Sequence, residues 1–154
     1  MVSIKLSDGS KKSFSGPIKG DDLAKNISSS LSKSAIAISI NGQLKDLNFK
    51  INKDCEVEII TKESELGIEI LRHDAAHVMA EAVKTLYPDI QVTIGPPIEN
   101  GFYYDFSKKE PFTPEDLVKI EKKMLEIINK NEPFEREVWD RKKAINYFKD
   151  QGEI

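Results

Sequence analysis

Apolar and polar positions alternate from the first residues onward: Val2, Ile4 and Leu6 are separated by Ser3 and Lys5, and this period of two predicts a strand. Ser7-Asp8-Gly9-Ser10 supplies turn chemistry, and the short extended run Lys11 to Phe14 completes a hairpin. Next, Gly20-Asp21-Asp22 offers a cap before Leu23, Ala24, Ile27 and Leu31, whose three- and four-residue spacing predicts a short amphipathic helix ending in serines. Ala35 to Ile40 reads as a strand, Asn41-Gly42 as a hairpin turn, and Leu44 to Leu47 as its return. Cys55 to Thr61 closes the set.

A hairpin, a helix and further strands with no helix between them fit a ubiquitin-like β-grasp unit better than a parallel sheet. Lys62-Glu63-Ser64-Glu65 is a polar joint, after which the period becomes 3.6. Leu71, Ala75, Val78, Ala82 and Leu86 form a stripe that ends before Pro88, predicting a helix of about five turns. The expected division is therefore residues 1–62 and 63–154, an α+β chain of two parts.

Past Pro88, Gln91 to Ile94 and Phe102 to Phe106 are strand-like runs flanking Gly95-Pro96-Pro97-Ile98-Glu99-Asn100-Gly101. Strand parity sets Phe102, Tyr104 and Phe106 on one aromatic face. Thr113-Pro114-Glu115-Asp116 starts a helix whose expected buried face is Leu117, Ile120, Met124, Ile127 and Ile128, with Pro133 as its stop. Phe134 to Trp139 can form a strand, and Asp140 caps a last helix running through Ala144, Ile145 and Phe148 to Gly152.

Composition narrows the class. A hydrophobic fraction of 39% and a charged fraction of 32% fit a folded globular chain, and no apolar run approaches the roughly 18 residues of a membrane span. The alternating start lacks the basic-then-apolar pattern of an export signal. Cys55 is the single cysteine, so no internal disulfide is expected and a reducing cytoplasm fits. Net charge is −3, divided as +3 over residues 1–62 (10 lysines, 7 acids) and −6 over the rest (13 basic, 19 acidic). The first part is compatible with a polyanionic partner; totals say no more.

The chemistry concentrates in Leu71-Arg72-His73-Asp74-Ala75-Ala76-His77. His73 and His77, the only histidines, stand at i and i+4, so both rings reach one small ligand, a metal or a water. A solvated helix face is the plain alternative. A zinc site needs three or four protein ligands; Glu81 is the one candidate third, and a resident metal is not expected. Neutral imidazoles near pH 7 can instead take a proton from water or hold a hydroxyl, the work of histidine in ester hydrolysis. Neither a Gly-x-Ser-x-Gly elbow nor a phosphate-cradling Gly-x-x-x-x-Gly-Lys-Ser/Thr loop is present.

Leu71-Arg72-His73-Asp74-Ala75-Ala76-His77-Val78-Met79-Ala80-Glu81-Ala82-Val83, Leu86-Tyr87-Pro88, Ile94-Gly95-Pro96 and Gly101-Phe102-Tyr103-Tyr104-Asp105-Phe106 together resemble the amino-terminal region of the bacterial threonyl-tRNA synthetases. The resemblance spans essentially the whole chain. It implies a TGS domain over residues 1–62 and, over 63–154, part of an editing domain that hydrolyses serine wrongly attached to tRNA(Thr). His73 and His77 are the implied editing residues, with Gly95, through its open backbone, and Tyr104, through its hydroxyl, as substrate contacts. The family's downstream Cys-x-x-x-His motif is absent, as is the aminoacylation domain in which ATP, magnesium and zinc are expected. The resemblance thus implies a fragment of a cytoplasmic ligase, homodimeric as a whole and monomeric as a piece, with no cofactor of its own. Two other readings stand beside it: a TGS-type RNA-binding module with structural histidines, and an alanyl-type, zinc-dependent editing hydrolase.

Overall fold

A computed structural model describes residues 1–132 and 135–152. The chain divides into two compact units, Met1–Arg72 and His73–Ile154.

The first unit holds β1 (Val2–Leu6), β2 (Lys11–Phe14), β3 (Ile18–Lys19), α1 (Gly20–Ile27), α2 (Ser29–Ser34), β4 (Ala35–Ile40), β5 (Gln43–Asp46), β6 (Lys50–Ile51) and β7 (Cys55–Thr61). Five strands form one sheet in the order β2-β1-β7-β4-β5, and β1 and β7 run parallel at its centre. This is the β-grasp arrangement expected from the pattern, and both hairpins fall where their turn residues put them. Asn41 and Gly42 take φ of 48° and 81°, the positive angles that a two-residue turn between right-twisted strands requires. Asn41 also ties the turn to β7: its Oδ1 accepts the Glu56 N–H at 2.9 Å, and its own N–H donates to the Glu56 carbonyl at 3.0 Å.

Val2, Ile4, Leu6, Leu23, Ile38, Ile51 and Val57 form the core of this unit. Leu23 is fully enclosed, so Leu23→Ala would cost about 2–5 kcal/mol. Gly20 has room for no side chain, since a Cβ there would lie 2.9 Å from Ile38 Cδ1 and 3.0 Å from the Leu47 carbonyl. The helix expected over Leu23 to Leu31 is broken in two. Ser28 is extended, and its hydroxyl accepts the Leu31 N–H at 3.0 Å, so the serines start α2 instead of merely ending α1. Nor do Asp21 and Asp22 cap α1. They occupy its first turn, where their charge complements the helix dipole. The short β3–β6 ladder carries too few residues to show a period and was not expected.

The long helix α3 (Glu65–Leu86) is present, and the division between units falls within it. Ser64 starts it by accepting the Gly67 N–H on its hydroxyl at 3.1 Å. Its buried face keeps Ala82 and Leu86 of the expected stripe and adds Ala76, Met79 and Val83, whereas Leu71 is 43% exposed. Small alanines on every side blur the period from which a face is read.

The second unit continues with β8 (Gln91–Val92), β9 (Pro97–Ile98), β10 (Gly101–Phe102), β11 (Phe106–Ser107), α4 (Pro114–Lys130) and α5 (Arg141–Asp150). The two expected strands become two separate ladders, β8 with β11 and β9 with β10, because the prolines interrupt any longer pairing. Parity nevertheless holds: Phe102, Tyr104 and Phe106 are half-buried while Tyr103 and Asp105 are exposed. Helix α4 begins with the expected cap, a reciprocal box in which Thr113 and Asp116 satisfy each other's backbone N–H groups. Its expected face is only partly right, since Ile120 is buried and Met124 and Ile127 pack beside it, but Leu117 and Ile128 are 59% and 56% exposed. Pro133 and Phe134, expected to stop α4 and open a strand, lie outside the described residues, and 135–139 are not extended into a ladder. Asp140 caps α5 through the Lys142 and Lys143 N–H groups, both at 3.0 Å. Among the described residues no helix is long and apolar enough to cross a membrane.

Candidate functional site

The four residues singled out as site candidates fall into two pairs in the second unit. The first is on α3. His73 and His77 are both exposed, their rings 4.7 Å apart between centroids and tilted by 30°. Their Nε2 atoms approach to 2.8 Å, a hydrogen-bond distance. A hydrogen bond at this distance needs a proton on one Nε2 and a free lone pair on the other. Helical spacing predicts such proximity; it does not predict that the same atom of each ring turns to meet the other.

Glu81, one turn beyond His77, is exposed. Among the described residues no three or more histidine, cysteine, aspartate or glutamate side chains gather to hold a metal. Cys55 belongs to the first unit, half-buried in β7, where burial and the charge of Asp54 push its thiol above the ordinary value. A protonated thiol is a weak nucleophile at neutral pH.

The second pair is Gly95 and Tyr104. A Cβ at position 95 would lie 1.9 Å from Tyr104 Cδ2 and 2.2 Å from its Cε2, so the ring lies directly on the glycine backbone. Its other neighbour is Phe106, stacked at 5.0 Å with the planes 18° apart. The ring is clamped, while the Tyr104 hydroxyl makes no hydrogen bond among the described residues. Beside this pair is a shallow depression of about 410 Å³, lined by Thr93, Ile94, Pro96, Tyr103 and Asp105. Ile94, Pro96, Tyr103 and Asp105 lie in the segments that carry the family resemblance, but none of the five was singled out as a site residue. Thr93 closes one wall by donating its hydroxyl to the Asp105 carbonyl at 2.8 Å.

A further cluster anchors the start of α4. Asp116 accepts from the Tyr87 hydroxyl at 2.8 Å and the Thr113 N–H at 3.1 Å, with the Lys108 ammonium 3.5 Å away. These partners, the Tyr87 bond foremost, hold its carboxyl well below the usual aspartate range, and the same bond raises the Tyr87 phenol. Lys108 also sits over the Phe112 ring at 4.7 Å. The cluster fixes where α4 leaves the aromatic face; it contains no open acceptor for chemistry.

Comparison with known proteins matches residues 2–61 to the TGS domain. The threonine–tRNA ligase of Parvibaculum lavamentivorans is 56% identical over 154 residues, which is all of this chain and 24% of that protein. That of Pelagibacter ubique is likewise 56% identical over 154 residues, with the same coverage. The Rhodospirillum rubrum ligase is 54% identical over 153 residues, 99% of this chain and 24% of that protein. The chain spans about a quarter of the length of these relatives, and it matches their N-terminal region.

Proposed function

We propose that this chain, a TGS-led match to the N-terminal region of threonine–tRNA ligases, serves such an enzyme by engaging tRNA(Thr) and by supplying half of a site that removes wrongly attached serine. In this reading residues 1–62 are the TGS domain and 63–154 part of the editing domain. The joining of threonine to tRNA, with ATP, magnesium and zinc, belongs to the remaining length of the ligase in the cytoplasm, and its assembly is a homodimer.

The need for hydrolysis has a physical origin. Threonine and serine differ by one methyl group, worth about 1–3 kcal/mol in a binding pocket, so a second sieve must supply the rest of the discrimination. A pocket that excludes the methyl and admits serine does so sterically.

The observation that carries the proposal is the 2.8 Å approach of the two Nε2 atoms on an exposed helix face. One donor and one acceptor facing each other are complementary to an O–H group. A water or a ribose hydroxyl entering between the rings accepts from one Nε2–H and gives its proton toward the other Nε2, replacing their mutual bond. The imidazole that accepts is the general base, or the anchor of the terminal ribose; the other holds the oxygen in line. The Gly95 backbone and the Tyr104 hydroxyl then contact the aminoacyl group.

Deacylation of seryl-tRNA(Thr) by the full-length ligase tests this. His73→Ala and His77→Ala are expected each to slow it by about 10²–10⁴-fold, with threonylation retained. Unchanged deacylation in the double variant refutes the role and favours a TGS-type RNA-binding module.

A further inference from the structure

We infer that His73 and His77 form a two-point chelator for an exogenous divalent transition-metal ion, with copper(II) and nickel(II) preferred over zinc. The argument is geometric. Both Nε2 atoms face one another across 2.8 Å on adjacent turns of α3, and both rings are exposed to solvent. Taking metal–imidazole bonds of about 2.0–2.1 Å, two nitrogens at this separation subtend about 85–90° at a shared ion. That is the cis angle of square-planar and octahedral coordination. A tetrahedral ion needs its nitrogens about 3.3–3.4 Å apart, farther than the 2.8 Å that separates these two. Ligand geometry thus adds to the general affinity order, in which copper stands above both nickel and zinc and imidazole suits all three.

Nothing else among the described residues completes the coordination shell, since no third histidine, cysteine or carboxylate gathers there. Water fills the remaining positions, so the ion is held reversibly and is distinct from a resident cofactor. The mutual hydrogen bond is the state that competes with it. Binding shifts the shared proton from Nε2 to Nδ1 of the donor ring through solvent, so both rings stay neutral and both Nε2 lone pairs go to the metal, which denies them to water or a ribose hydroxyl. Blocked hydrolysis follows only if the proposed editing role is right; chelation itself does not depend on that role.

Titration calorimetry on the 154-residue chain, with copper(II), nickel(II) and zinc chlorides in a non-chelating buffer, separates the two. The expected result is one nickel or copper ion per chain, bound more tightly than zinc, with affinity falling at least tenfold in His73→Ala and in His77→Ala. EDTA should reverse it. Because both side chains are exposed, loss of fold does not confuse the reading, and unchanged strand and helix content by circular dichroism verifies this. Binding that survives in the double variant, or zinc bound more tightly than copper and nickel, overturns the inference. The editing role is tested on its own by seryl-tRNA(Thr) hydrolysis in metal-free buffer, so neither result stands in for the other.

Discussion

Position 95 shows how one missing side chain can shape a site. The Tyr104 ring occupies the volume that any Cβ would need, 1.9 Å from its Cδ2, so Gly95→Ala must push the ring off Phe106. Overpacking of this kind costs about 1–3 kcal/mol. Urea unfolding of Gly95→Ala should show that loss, and Tyr104→Ala in the same chain should restore part of it, because the clash disappears with the ring. Strict additivity of the two substitutions would contradict the packing argument. The i, i+4 spacing of His73 and His77 could be read directly from the chain. The seating of Tyr104 on Gly95 could not, because it joins residues nine apart through a loop whose path no local period describes. The same limit hid Thr93 and Asp105, whose pairing is set by the closing of the loop.

Helix α4 illustrates what a terminus can do that its face cannot. Thr113-Pro114-Glu115-Asp116 announced a capped start, and the reciprocal box is there. The face was less legible: of its five expected residues Ile120 is buried and Met124 and Ile127 pack beside it, but Leu117 and Ile128 are exposed, so apolar spacing alone overstated the buried stripe. In α3 the expected stripe was right at Ala82 and Leu86, which lie in the core, and wrong at Leu71, which is exposed. Two predictions belong to the α4 start. Thr113→Ala removes the acceptor for the Asp116 N–H and should cost about 1 kcal/mol, measurable by chemical denaturation. Asp116 carries a depressed carboxyl, so its contribution is complete above the ordinary aspartate value of 3.8 and is lost as pH falls below it, when the unfolded chain takes up the proton first. Wild type should therefore outlast Asp116→Asn by a constant margin at pH 5 to 7 and by a shrinking one below about pH 4. A margin that grew in acid would reverse the sign of the linkage.

Each unit has its own core, which sets what a destabilising change can reach. Val2, Ile4, Leu6, Leu23, Ile38, Ile51 and Val57 close the first, while Ala82, Val83, Ile90 and Ile120 close the second. The first was legible nearly throughout, because alternating strands and glycine turns record its sheet directly in the chain. In the second, strands of two residues leave too little period to read, and the aromatic cluster of Tyr104, Phe106 and Phe112 bears the packing instead. Ile120→Ala deletes a methyl-rich side chain that is 6% exposed and should cost about 2–5 kcal/mol. Cooperative opening follows compact units, so the loss should appear in amide exchange of Val83 and Ile90. Exchange at Ile4, Ile38 and Val57 should remain as in wild type. Equal acceleration at both sets of amides would mean that the two cores unfold as one, and the division at Arg72 and His73 would then have no energetic counterpart.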